Sequence, residues 1–287
     1  MTRSTSPDPR GRAPAVLTAI AVLVHSNVFV SIAAASVAVS TMLLVGYPLR
    51  PGPVCIVFAV TMFVYSLNRI TDVEEDERNV PRRAAFTRRY GRALLVLSVC
   101  AYVAAVAVAL ARRLPRVEFM ALPLVVGALY SLFRVKRLFL VKNFLVGASW
   151  GVIPLGVCVY FGGDWTVEVA VLAGHVFVML TVAAVVFDVK DIAGDSKRGI
   201  RTVPTEFGPR ATRAVAGVVT VAAAAVVVGL VVVGVLPGRY LVLLAFDAYV
   251  LGYTVVATPD RGPLFYGFVA DGEHLFLALL LLGVEWL

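Results

Sequence analysis

The sequence predicts an all-α fold, a polytopic membrane bundle of nine transmembrane helices built as two four-helix pseudo-repeats plus one helix around a central cavity. Three observations predict it. Hydrophobic residues make up 60% of the 287 and charged residues only 15%, with a mean hydropathy of +0.89. A soluble domain needs far more surface charge than that. Apolar runs of about 20 residues recur along the chain and stop at Gly, Pro or charge clusters. Finally, 21 of the 26 Lys and Arg residues fall in alternate connecting segments, as the positive-inside rule requires of one membrane face.

Taken in order, residues 1–14 carry Arg3, Arg10 and Arg12 among Pro and Ser and read as a disordered cytoplasmic tail, leaving 15–287 as a single transmembrane domain. The first span runs from Val16 to Val45, too long for a signal-peptide core, and ends before Gly46-Tyr47-Pro48. The others cover Val54–Leu67, Ala93–Ala111, Phe119–Phe133, Phe144–Phe161, Val167–Phe187, Ala211–Leu236, Tyr240–Ala257 and Leu264–Val284. The charge count puts the N-terminus in the cytoplasm of a cell-membrane protein and the C-terminus outside. Arg112, Arg113 and Arg116 are the local exception on the outer side.

The net charge of +8 does not indicate nucleic acid, because the basic residues sit in loops between spans. Cys55, Cys100 and Cys158 lie apart within apolar segments and lack metal-ligand spacing. No obligate protein partner is inferred.

Chemistry concentrates in two stretches. In Asn68–Arg83, NRITDVEEDERNVPRR, the residues Asn68, Asp72 and Asp76 recur every four positions and stack on one helical face. From Asp188, in DVKDIAGDSKRGIRTVPTEFG, Asp188, Asp191 and Asp195 repeat that arrangement at three and four. Each motif follows the second span of a four-span block, so a parallel repeat brings the two columns face to face. Oxygen ligands in columns suit Mg²⁺, and carboxylates this dense near a membrane need cations to offset their repulsion. Arg78, Arg82 and Arg83 follow the first cluster; Lys197, Arg198 and Arg201 follow the second. Acids and bases beside an apolar cavity suit a metal-bound diphosphate with a greasy tail, whose allylic carbon–oxygen bond ionises as metal and cations stabilise the departing diphosphate.

The NxxxDxxxD and DxxDxxxD motifs resemble those of the UbiA superfamily of intramembrane prenyltransferases. Gly199-Ile200-Arg201-Thr202-Val203-Pro204 is similar to that family's continuation after its second motif, and Tyr130-Ser131 with Lys136, Lys142 and Asn143 is similar to its segment after span four. The stretch Asn79-Val80-Pro81-Arg82-Arg83-Ala84-Ala85 departs from the Pro-rich pattern of many members. The resemblance implies a nine-helix bundle with a cavity open to lipid, and Mg²⁺-dependent transfer of an isoprenyl group from its diphosphate to a lipophilic or aromatic acceptor. On that reading Asn68, Asp72, Asp76, Asp188, Asp191 and Asp195 hold metal, with Asp72, Asp76, Asp188 and Asp191 catalytic. Tyr130 faces the allylic cation, a role its ring suits. The diphosphate falls to Asn68, Arg82, Arg83, Lys136, Lys142, Asn143, Lys197 and Arg201.

Ionisable groups inside the spans form a second tier: His25 with Asn27, His175, Asp247, Asp271, Glu273 and His274. Asp271 and His274, three apart, are expected to share a face, pair, and line the acceptor side; the competing reading is a polar clamp between helices. Three other classes compete. A transporter would show midplane ion sites and, often, inverted repeats. A membrane alcohol phosphotransferase would place Gly and Ala-Arg between its acids. A terpene cyclase of the same superfamily would form a cyclic hydrocarbon from diphosphate alone.

Overall fold

In the computed structural model the first apolar run is broken where the sequence analysis expects one long span. Residues 15–122, 138–262 and 264–285 are described. Helix α1 covers Ala15–His25 and α2 covers Val28–Val45, separated by Asn27 in the left-handed region at φ 64°. Asn is among the few residues that adopt that conformation readily. The break costs little, because the Asn27 carbonyl accepts bonds from both the amide and the hydroxyl of Ser31.

Helix α3, Pro51–Thr71, starts with Pro51 in its first turn, where a missing N–H does no harm. A short α4, Val73–Asn79, carries the acidic residues, and α5 then runs from Pro81 to Ala111. Helix α6 is Val141–Tyr160 and α7 is Val167–Phe187, capped by the Thr166 hydroxyl. A 3₁₀ turn, Asp188–Asp191, leads into α8, Ile192–Lys197. Helix α9, Val203–Val232, kinks at Gly208, whose φ of 78° precedes Pro209, so the predicted seventh span begins just after the kink. Helix α10 is Leu243–Val256; a π-helical turn, Phe265–Ala270, precedes α11, Glu273–Glu285.

Among the described residues eight helices are long and apolar enough to cross a membrane, which makes the chain an integral multi-pass membrane protein. The predicted fourth span lies largely outside the described residues. Helix α2 is the central one, with Ala33, Ala34, Ala38, Ser31 and Thr41 fully buried. It packs on α3, α6 and α11, while α5 and α9 turn most of their apolar side chains outward. Ser31 against Met62 makes α2 and α3 antiparallel neighbours, and Phe63 stacked on Tyr102 does the same for α3 and α5.

The tightest contact is between α6 and α7. A Cβ on Gly147 would lie 2.2 Å from Thr181 Oγ1 and 2.6 Å from the Phe177 carbonyl; one on Gly151 would lie 2.9 Å from Phe177 Cβ. These glycines form a GxxxG face that lets two backbones approach in the absence of a hydrophobic drive between helices. The approach fixes the start of α6 against the end of α7, where the second acidic motif begins. Gly147→Val should destabilise the protein by about 1–3 kcal/mol through overpacking. Gly174→Val, on the same helix pair with nothing within 4 Å of where an added Cβ would sit, should be near neutral. Thermal unfolding midpoints of the purified variants in detergent check the contrast.

Candidate active site

Both acidic columns lie at one end of the bundle. The first is carried across a helix break. Although α3 stops at Thr71, the backbone bonds Asp72 N to Asn68 O, Asp76 N to Asp72 O and Val80 N to Asp76 O continue at 2.9, 2.9 and 2.8 Å. The four-residue column from Asn68 to Asp76 therefore stays on one face. In the second motif the 3₁₀ turn nearly eclipses Asp188 and Asp191, three apart, and Asp195 follows on α8. Asp76, Asp188 and Asp195 are buried, and Asp72 and Asp191 half-buried.

Four of these carboxylates are matched to a cation. Arg83 reaches Asp76 through two bonds, Nε to Oδ2 at 2.9 Å and Nη2 to Oδ1 at 2.5 Å, and Arg69 stands 3.7 Å away. Lys142 Nζ donates to Asp188 Oδ1 at 2.6 Å and Asn143 Nδ2 to Oδ2 at 3.0 Å. Lys190 Nζ is 2.5 Å from Asp191 Oδ2, and Arg198 Nη2 is 3.0 Å from Asp195 Oδ1. Three residues expected at a diphosphate, Arg83, Lys142 and Asn143, thus rest on carboxylates expected at a metal. The physical reason is burial: a carboxylate out of water needs a partner, and these side chains reach one.

Other expected residues lie further out. Arg82 and Lys197 are exposed, and Arg201 forks onto Glu206 at 3.0 and 3.2 Å. Tyr130, Ser131 and Lys136 lie outside the described residues. Sequence reasoning missed Arg69 and Lys190. Lys190 stands over the rings of Phe187 and Tyr266 at 5.4 and 5.8 Å, linking the second motif to the π-helical turn before α11. Their signal was position: Arg69 adjoins Asn68, and Lys190 sits inside the second motif.

The expected Asp271–His274 pair is a correction. Among the described residues the two make no hydrogen bond or ion pair. A regular helix would put positions three apart on one face, but the π-helical turn and the break at Asp271-Gly272 interrupt the register. Asp271 instead feels the charges of Arg69 and Arg83 from the first motif and Lys190 from the second.

His274 belongs to a second group, buried deeper between α6, α7, α10 and α11. Tyr253 donates to Glu273 Oε2 at 2.7 Å, and His274 Nε2 lies 3.6 Å from Glu273 Oε1. The His274 ring packs on Trp150 and Phe246. His175 Nε2 approaches Asp247 Oδ1 to 3.1 Å, at angles that fall short of a hydrogen bond. The Tyr253–Glu273 bond joins α10 to α11, and His175 and Asp247 bring α7 against α10. In the first segment, His25 faces Phe86 and Asn27 Oδ1 accepts from Arg69 Nε at 3.4 Å.

Comparison with known proteins places the fold. The model of the UbiA prenyltransferase family matches residues 28–279. The structure of a UbiA homolog from Aeropyrum pernix K1 is 20% identical, with a TM-score of 0.66 over 90% of this chain and 98% of that one. A UbiA homolog from Archaeoglobus fulgidus bound to GPP and Mg²⁺ is 10% identical, with a TM-score of 0.64 over 93% and 99%. A structure described for digeranylgeranylglyceryl phosphate synthase is 16% identical, with a TM-score of 0.58 over 94% and 98%. At these identities the likeness is one of fold. No curated protein matches the chain.

The deeper group generates a prediction of its own. Tyr253→Phe removes the donor to a buried Glu273 and should lower stability by about 1–3 kcal/mol, the cost of an unsatisfied buried polar group. Chemical or thermal unfolding in detergent, compared with the wild type, measures it.

Proposed function

Because the chain belongs to the UbiA prenyltransferase family, we propose that it transfers an isoprenyl group from an isoprenyl diphosphate to a lipophilic or aromatic acceptor within the membrane, using Mg²⁺. The observation that carries this reading is the interleaving of acids and bases at one end of an apolar bundle: Asp76 with Arg83, Asp188 with Lys142, Asp191 with Lys190 and Asp195 with Arg198. Such a site offers a diphosphate both of the partners it needs. Its oxygens would accept hydrogen bonds from the cations, leaving the carboxylates to hold metal. That the Archaeoglobus fulgidus homolog was solved with GPP and Mg²⁺ supports the assignment.

The donors present fit Mg²⁺. Asn68 Oδ1 is buried without a hydrogen-bond partner, an oxygen suited to such an ion. Among the described residues no three His, Cys, Asp or Glu side chains converge as a complete cage. Mg²⁺ usually takes one or two carboxylates and completes its octahedron with water and phosphate, so a divided donor set agrees with it. Asn68, Asp72 and Asp76 would hold it on one side, and Asp188, Asp191 and Asp195 on the other. When bound, the metal supplies charge to neutralise the departing diphosphate.

The chain's own residues supply the rest. Arg83, Lys142 and Lys190, with Asn143, take the diphosphate oxygens as the carbon–oxygen electron pair moves onto them. The apolar helices keep water from the allylic cation that would otherwise be captured by it. Asp271 is in electrostatic range of Arg69, Arg83 and Lys190, which supports a position near the charged end of the bundle. The count of basic residues supports a cytoplasmic N-terminus, with both motifs at the cytoplasmic face.

Asp72→Ala and Asp191→Ala should each lower turnover by at least about 10²-fold, the scale of one lost transition-state charge contact. A radiolabelled prenyl-transfer assay in detergent tests this, and full activity of both variants in excess EDTA overturns the metal–diphosphate mechanism. Orientation is tested with single cysteines at Arg83, Lys197 and Gly163 in a background lacking the native three. An impermeant maleimide should reach the first two from the cytoplasmic side only and the third from the other side; labelling of all three from one side refutes the orientation.

A further inference from the structure

The end of the bundle away from the acidic motifs carries a feature outside the site described above. A cavity of about 650 Å³ opens there between α2, α3 and α5, within the size range of sites for small amphiphiles. Its walls are apolar: Ile32 and Val39 from α2, Cys55 and Phe58 from α3, Ala105 and Val108 from α5. Arg112, which ends α5, lines its mouth. Helix α3 enters the bundle at this end and reaches Asn68 only 13 residues after Cys55, about 20 Å along the axis.

Arg112 is one of three arginines within five positions, with Arg113 and Arg116. Arg113 and Arg116 both hold left-handed backbone, at φ 52° and 53°, uncommon for residues other than Gly, Asn or Asp. The three side chains are exposed, and among the described residues none makes an ion pair or a hydrogen bond. Arg239 at the same end shows the contrast: it is satisfied by Glu168 and by the Leu44 carbonyl. The cluster also stands against the bias of basic residues toward the other face. An apolar cleft with the Arg112 guanidinium at its mouth, and two further arginines within four positions along the chain, complements an amphiphile whose chain lies inside and whose phosphate meets arginine.

We propose that this cleft seats an acyl chain of an anionic phospholipid, with the phosphate held by Arg112, Arg113 and Arg116. The site is a lipid anchor for the half of the bundle formed by α2, α3 and α5, in the leaflet opposite the acidic motifs. A prenyl diphosphate held at the motifs has its charged head at the other end of α3, so the arginines serve a different molecule.

Cys55 reports on the cleft, since it lines the wall, whereas Cys158 is buried beneath the Tyr47 hydroxyl. In a Cys100→Ser protein purified in detergent, the rate of N-ethylmaleimide addition to Cys55 is followed by mass spectrometry. Phosphatidylglycerol should slow it at concentrations at least about tenfold below those needed with phosphatidylcholine, given the pull of each arginine on anionic lipid. The triple variant Arg112→Gln, Arg113→Gln, Arg116→Gln should lose that difference, and the corresponding triple Lys variant should keep it. Gel filtration and diphosphate binding at the motif end, unchanged in both, show that they fold. Equal protection by the two lipids, protection by neither, or a preference that survives in the Gln variant overturns the proposal. So does protection of Cys55 by a long-chain prenyl diphosphate with Mg²⁺ alone, which would assign the cleft to the donor's tail.

Discussion

A carboxylate buried at the edge of a membrane cannot stand alone, and much of this structure follows from that. Asp188 is only 3% exposed, and its two oxygens are taken by Lys142 and Asn143 from the first turn of α6. Removing a charge from water costs more than Coulomb attraction alone returns, unless the remaining lone pairs are also satisfied. Asp188 meets that condition with one ammonium and one amide. The requirement fixes the register of α6 against α7, which Gly147 and Gly151 then allow to pack closely. Asp76 obeys the same rule with Arg83 and Arg69, and so draws α5 toward α3. The groups suited to a charged ligand are thus the groups that assemble the end of the bundle.

Helix geometry at this end is irregular in a consistent way. The chain leaves regular α-helix at Asn27, at Asp72, through the 3₁₀ turn from Asp188, at Gly208 and in the π-helical turn before Asp271. A regular helix satisfies its own backbone and presents little to a ligand inside a membrane. Two of the interruptions bring a polar side chain across the bundle. Asn27 reaches Arg69, and the π turn brings Tyr266 beneath Lys190. Nonhelical backbone at membrane depth is tolerated where protein or a polar cavity surrounds it, and these breaks gather near the two motifs.

The fold was legible in the sequence because membrane thickness dictates length and polarity dictates ends. Val167–Phe187 was read to the residue, the span from Ala93 falls within α5, and the span from Phe144 ends one residue beyond α6. What the sequence hid was backbone deviation. Asn27 inside an apolar run looks like a tolerated polar residue, yet it splits the run into α1 and α2. The motif columns were visible as spacing, since three- and four-residue steps survive both the α3–α4 junction and the 3₁₀ turn. The pairing of Asp271 with His274 was misread for the converse reason: their spacing falls on a register change that hydropathy does not reveal. Arg69 and Lys190 were passed over because a basic residue at a membrane face is ordinary, and only its partners distinguish it.

The deep polar group makes sense as the support of the charged end. His175 lies 13 residues before Asp188 on α7, and Glu273 lies two residues after Asp271 on α11. The Tyr253–Glu273 hydrogen bond therefore ties α10 to α11, and the approach of His175 to Asp247 brings α7 against α10; α7 and α11 are the helices that adjoin Asp188, Lys190 and Asp271. Apolar packing alone would allow sliding, since a Val or Leu ridge fits several neighbouring grooves and lipid matches it nearly as well. A polar atom in hydrocarbon has few acceptable partners, and a slip of one turn, about 5.4 Å, would forfeit them. Arg198, Lys190 and Lys142 act within a few ångströms of their carboxylates, so a slip of that size would dismantle the site. The polar group in the interior thus holds in register the charges gathered at the surface.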